Sequence, residues 1–248
     1  MNSVPRSLFF AFTSLLHPQM LWLMVWPMLV SLIVWGVAAF LLWGATAVWM
    51  AAHLKRWIET GMLFFSFDTG GAMLVASHVI MVLLFVPLVY LTALFILSIF
   101  GMQAMVEHVA SRRFPQLARR RGGGVAGSVL NGVVALAGLA LLGLVSLPFW
   151  LIPPLWPAIP VAIMAWVNQR VLRYDALAEH ATADEMQAIF ASKRRKLYMF
   201  GAVLAFLAYV PLVGFLAPVL FGLAFIHFLL GELESMRQAP IEGEAVRL

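Results

Sequence analysis

Few residues in this chain are of a type that does chemistry, and their spacing narrows the possibilities further. The six histidines are His17, His53, His78, His108, His180 and His227. No two stand at the i, i+4 spacing that turns two imidazoles toward one metal ion. There is no cysteine, so disulfides, thiolate metal sites and thiol nucleophiles are excluded. The run Gly122-Gly123-Gly124 lacks the Lys-Ser/Thr pair of a phosphate loop and reads as a flexible joint. No acid, base and nucleophile converge in one segment. We therefore expect no catalytic residues, no metal, no cofactor and no enzyme activity. His78 and His227 lie in apolar segments, where a titratable group is either a proton relay or a neutral imidazole bonded to a neighbouring helix. Glu107 follows a long apolar stretch, with Arg112 five residues on. A carboxylate at that boundary should be paired, so Glu107 and Arg112 are candidates for an ion pair or a gate.

The elements that carry these residues follow from composition. Of 248 residues 63% are hydrophobic and 11% charged, and mean hydropathy is +0.96. A soluble domain carries about 25% charged residues. No Asp, Glu, Lys or Arg occurs between Arg6 and Lys55, Asp68 and Glu107, Arg121 and Arg170, or Lys196 and Glu232. Each stretch exceeds the roughly 20 apolar residues needed to cross a bilayer core of about 30 Å. In lipid the backbone must satisfy its own hydrogen bonds, so these stretches should be helices, and no alternating pattern suggests a β-barrel. The expected class is an all-α integral membrane protein, with 1–248 one membrane domain. Its apolar N-terminal run is too long for an ordinary signal peptide, and we expect it to be retained.

Pro18 divides the first stretch into a short interfacial helix, 4–16, and a spanning helix, 20–51, with Pro27 inside it. A second spanning helix, 73–105, contains Pro87. Five prolines between Pro148 and Pro160 exclude one continuous helix over 125–169 and predict a proline-tipped hairpin. The stretch 197–231 has the same plan, with Pro211 and Pro218 bracketing its turn. Limbs of about 13 residues would reach only about 20 Å, so both hairpins are expected to be partly inserted. A polar tail, 232–248, follows. Trp22, Trp26, Trp43 and Trp49 read as an aromatic belt, and Trp150 and Trp156 as anchors of the first tip.

Basic residues give the orientation. The segment 107–121 holds Arg112, Arg113, Arg119, Arg120 and Arg121. The segment 170–196 holds Arg170, Arg173, Lys193, Arg194, Arg195 and Lys196. Both should be cytoplasmic, with the Lys55–Gly71 loop outside and the N-terminus inside. The net charge of +5 then reflects loops facing anionic lipid, not a nucleic-acid partner.

The order of these pieces resembles the etoposide-induced-protein domain family, and within it the CysZ-type bacterial sulfate permeases. The residues that carry the likeness are His17-Pro18 with Trp26-Pro27-Met28-Leu29-Val30, Met105-Val106-Glu107-His108 with Arg112, Arg173-Tyr174-Asp175, and Lys193 to Gly201 leading into Val210 to Pro218. The resemblance implies a multi-pass protein of the cell inner membrane and a homo-oligomer. It also implies passage of sulfate or another small anion in support of sulfur assimilation. It places an anion loop at His17 and Gln19. In the permeases a glycine and basic residues follow the early proline; here the sequence is Pro18-Gln19-Met20-Leu21-Trp22, so the loop amides remain and the charge does not. The alternative expectation is a scaffold or assembly protein of the same fold that transports nothing.

Overall fold

The computed structural model describes residues 3–61 and 70–245. Among them are eight α-helices: α1 (Ser3–Leu15), α2 (Pro18–Gly61), α3 (Gly70–Arg113), α4 (Val125–Ser146), α5 (Ala158–Leu177), α6 (Ala183–Ser192), α7 (Arg194–Leu207) and α8 (Pro211–Ala245). Four are long and apolar enough to cross a bilayer, over Pro18–Ile58, Gly71–Arg113, Ala126–Leu151 and Leu216–Gln238. The all-α membrane class expected from composition is the class observed.

The described residues fall into two compact units, 1–21 with 100–248, and 22–99. In the second unit, α2 and α3 face each other through large side chains. Trp35 Nε1 donates to Thr92 Oγ1 (2.9 Å), and Trp43 lies against His78, ring centroids 6.0 Å apart. An apolar cavity of about 180 Å³ lies between the helices, lined by Trp35, Trp43, Met81 and Phe85 among others. Phe40, Leu41, Val86 and Phe95 point outward, which suits lipid and not water. His78 Nδ1 donates to Leu74 O (2.7 Å) on its own helix. Both long helices have 44 residues, or about 66 Å at 1.5 Å per residue. They overrun the expected 20–51 and 73–105 because polar residues such as Lys55 and Arg56 remain good helix formers outside lipid. The rest of the expected loop, 62–69 with Asp68, lies outside the described residues.

In the first unit α8 is the central helix, with Val219 to Leu230 buried and α1 and α5 packed on it. The first hairpin is as expected: α4 ends at Ser146, the tip runs through two 3-10 turns (Leu147–Leu151 and Pro153–Leu155), and α5 returns. Trp156 Nε1 donates to Trp150 O (2.7 Å) within that tip. Its limbs have 22 and 20 residues, longer than the 13 expected, because helix continues up to the prolines and past the last apolar residue.

The second hairpin corrects the expectation. Its turn is Ala208–Val210, and Pro211 starts α8, where a missing N–H costs nothing. Pro218 lies inside α8 and brackets no turn. The limbs are unequal, 14 and 35 residues, since the polar tail is helical through Ala245. Glu232 and Arg237 on that tail meet charged partners elsewhere in the unit, which fixes them as helix.

The triple glycine is a docking strand and not a flexible joint. Arg121 N, Gly122 N and Gly123 N donate to the carbonyls of Glu179, Ala181 and Ala178 (3.0, 2.8 and 3.0 Å). A β-carbon on Gly122 would stand 2.5 Å from backbone atoms of residues 181–183. Arg121 has φ 46°, the left-handed turn that lays the strand down. Gly201 serves close approach as well: a β-carbon there would meet Ala165 O at 2.5 Å, so α7 and α5 pack backbone to backbone.

Candidate functional site

The joint between α1 and α2 gathers most of the candidate residues. The chain turns at Leu16-His17, and Pro18 opens α2. His17 O accepts from Met20 N and Leu21 N (2.9 and 3.0 Å), closing the first turn. Gln19 N donates to His17 Nδ1 (3.3 Å), so this free amide at the helix start is held by the imidazole. His108, on α3, comes in from the side. Its Nδ1–H donates to Gln19 Oε1 (3.0 Å). Its ring lies 4.7 Å from that of His17. His108 is 8% exposed. Arg112 lies one helical turn along α3 from His108, is exposed, and has no ion pair among the described residues. The joint thus places two imidazoles, a carboxamide and an uncommitted guanidinium at a helix N-terminus.

Glu107 does not pair with Arg112. It is bridged to Arg119, and its backbone oxygen accepts from Ser111 Oγ. Leu21 and Trp22, where the resemblance puts basic residues, are 42% and 61% exposed. His227 bonds through Nε2 to Ser14 Oγ (2.9 Å), tying α8 to α1.

A second charged assembly lies at the start of α6 in the same unit. Thr182 and Glu185 form a reciprocal capping box at the start of α6. Glu185 then receives both Arg237 Nε (3.0 Å) and Arg237 Nη2 (2.9 Å), and Arg120 Nη1 at 3.0 Å. Arg237 also donates to Ala118 O (3.1 Å) and His180 O (2.7 Å). The Arg237 hydrogen bonds, helped by the Thr182 amide and Arg120, outweigh burial and hold the Glu185 carboxyl down at about 2. Burial, with Arg119 adding to it, holds the His180 imidazole below its ordinary range.

Sequence reasoning named His17, Gln19, Glu107 and Arg112 but treated His108 as one scattered histidine. The signal was present: His108 follows Glu107 at the end of a charge-free stretch, where only tertiary packing decides what it meets. The Glu107–Arg119 and Glu185–Arg237 pairs had no such signal, since spacings of 12 and 52 follow no helical period.

Fold and site together define a multi-pass helical membrane protein with a polar joint at the start of α2. The chain belongs to the Sulfate transporter CysZ/Etoposide-induced protein 2.4 family, whose model matches residues 7–218. All four residues of the joint, His17, Gln19, His108 and Arg112, fall inside that match, whereas Glu232 and Arg237 lie beyond it. Neither the curated proteins nor the solved structures compared with the chain gave a match.

Proposed function

We propose that this protein passes a small anion, sulfate or a relative of it, across the cell inner membrane through a path that begins at the α1–α2 joint. The observation that carries the reading is the joint itself: His108 is packed against His17, bonded to Gln19 and one turn from an unpaired Arg112. Imidazole and carboxamide N–H groups donate to an anion without a fixed countercharge, and the guanidinium adds the long-range attraction. Weak, distributed donors suit conduction, because an ion must leave as readily as it enters. The basic segments 107–121 and 170–196 on the cytoplasmic side, an oligomer as the working form, and the absence of catalysis or cofactor belong to the same reading.

A second reading, a non-transporting scaffold, draws support from Leu21 and Trp22, exposed apolar side chains where the permeases carry charge. Flux decides between the two. The purified full chain in liposomes is tested with radiolabelled sulfate, thiosulfate and chloride. The permease reading expects flux of at least one anion, reduced by His108→Ala and by Arg112→Gln. No flux of any of the three, in vesicles where a known channel conducts, refutes it and favours the scaffold.

A further inference from the structure

A cavity of about 340 Å³ opens between α1, the last turn of α3 and α8. It is separate from the joint and is lined by Arg6, Ser7, Arg113, His227, Glu234 and Ser235, among others. Two guanidiniums converge there on one ring. The Arg113 guanidinium carbon stands 3.6 Å from the Phe10 centroid, and that of Arg6 stands 5.4 Å away. A guanidinium that rests its face on an aromatic ring keeps its in-plane N–H groups for an anion. Acids stand in the same cavity. Glu232 is neutralised by Lys193 Nζ at 2.7 Å. Glu234 has no ion pair among the described residues, and neither do Arg6 and Arg113. Both signs of charge therefore line one cavity without meeting each other.

We propose that this cavity binds a phosphoethanolamine group, with Arg6 and Arg113 on the phosphate and Glu234 on the ammonium. A simple anion would leave the Glu234 carboxylate in the cavity without a partner, and a simple cation would leave the two guanidiniums without one. A zwitterion with charges a few bonds apart satisfies both. The size agrees, since cavities of about 300–1,000 Å³ hold small-molecule groups. The surroundings favour a membrane lipid as the source: α1 and the turn after it also expose Phe9, Phe12 and Leu16, an apolar surface on which acyl chains can lie. The α8 side of the cavity lies beyond the residues matched to the family, so the site belongs to this chain's own C-terminal helix.

The test is native mass spectrometry of the full chain in detergent, offered phosphatidylethanolamine, phosphatidylcholine or phosphatidylglycerol in turn, with soluble glycerophosphoethanolamine as a separate arm. The expected result is about tenfold stronger retention of phosphatidylethanolamine than of phosphatidylcholine, whose methylated amine cannot donate to Glu234. Arg113→Gln should reduce all phospholipid retention severalfold. Glu234→Gln should erase the preference for the primary amine while leaving phosphatidylglycerol bound. Both side chains are partly exposed, and an unchanged melting temperature checks the fold of each variant. Binding of glycerophosphoethanolamine as tight as that of the lipid supports the same chemistry with a soluble source. Equal retention of all three lipids, or variants that behave as the parent does, overturns the proposal.

Discussion

Removing the Arg237 side chain tests whether the charged assembly at α6 holds the first unit together. Arg237 donates twice to Glu185 and once each to Ala118 O and His180 O, all between 2.7 and 3.1 Å. Its side chain is 17% exposed and that of Glu185 is 14% exposed, so water screens the pair little. Holding Glu185 down at about 2, against an ordinary value of 4.5, corresponds to about 3 kcal/mol at 1.36 kcal/mol per unit. Arg120 and the Thr182 amide supply part of that, and residual screening reduces it. We therefore assign about 1–3 kcal/mol to the Arg237 bonds, and Arg237→Ala should cost about that much. For a chain of this size the loss lowers the melting temperature by about 3–10 °C. Arg237→Lys keeps the charge but not the fork, and should fall between. The assay is tryptophan fluorescence during heating in detergent, with Glu185→Gln and the double variant completing a cycle. If the Arg237→Ala and Glu185→Gln losses simply add, the two residues do not act as a pair and the reasoning fails.

The same pair predicts a pH dependence. A carboxyl held below its ordinary range stabilises the fold above about 4.5 and loses that contribution as pH falls through about 2. The parent should therefore lose stability over that window, and Glu185→Gln should lose less, in the same melting assay. At the docking strand, Gly122→Ala forces a β-carbon into backbone and should cost about 1–3 kcal/mol. Gly124→Ala, with nothing within 4 Å of its β-carbon, should cost far less; equal melting temperatures for the two would show that the strand does not dock as described. Single cysteines at Ser111 and Ser192 should resist an impermeant reagent added outside cells, while one at Thr60 reacts; labelling at Ser111 from outside would invert the orientation. Replacing Leu21 and Trp22 with arginine should strengthen sulfate binding by about 1.5–3 kcal/mol per charge-assisted bond formed, read by equilibrium dialysis. Unchanged binding would mean that the joint is not where the anion sits.

What the sequence made legible was set by solvent, and what it hid was set by neighbours. Charge-free stretches have one stable outcome in lipid, so the helix cores at 20–51 and 73–105 could be read from an absence of charge alone, while their charged ends could not. The proline run from Pro148 to Pro160 was equally readable, since each ring removes a donor wherever it stands. Pro218 misled for an instructive reason. A proline near a helix start removes one bond and breaks nothing when the neighbouring helices already fix the chain, and Val219 to Leu230 are buried on all sides. The helical tail was invisible because its partners, Lys193 for Glu232 and Glu185 for Arg237, are distant in sequence. Polar residues read alone predict a tail; polar residues with partners make a helix. The same logic separates the joint from the resemblance that pointed to it. His17 and Gln19 could be named from position, but their chemistry depends on His108, which arrives from α3 and ties up the carboxamide. Leu21 and Trp22 stand where the resemblance puts basic residues, so the chemistry of this joint rests on the imidazoles and the carboxamide. Family membership therefore carries the fold of this chain further than it carries the chemistry of its joint.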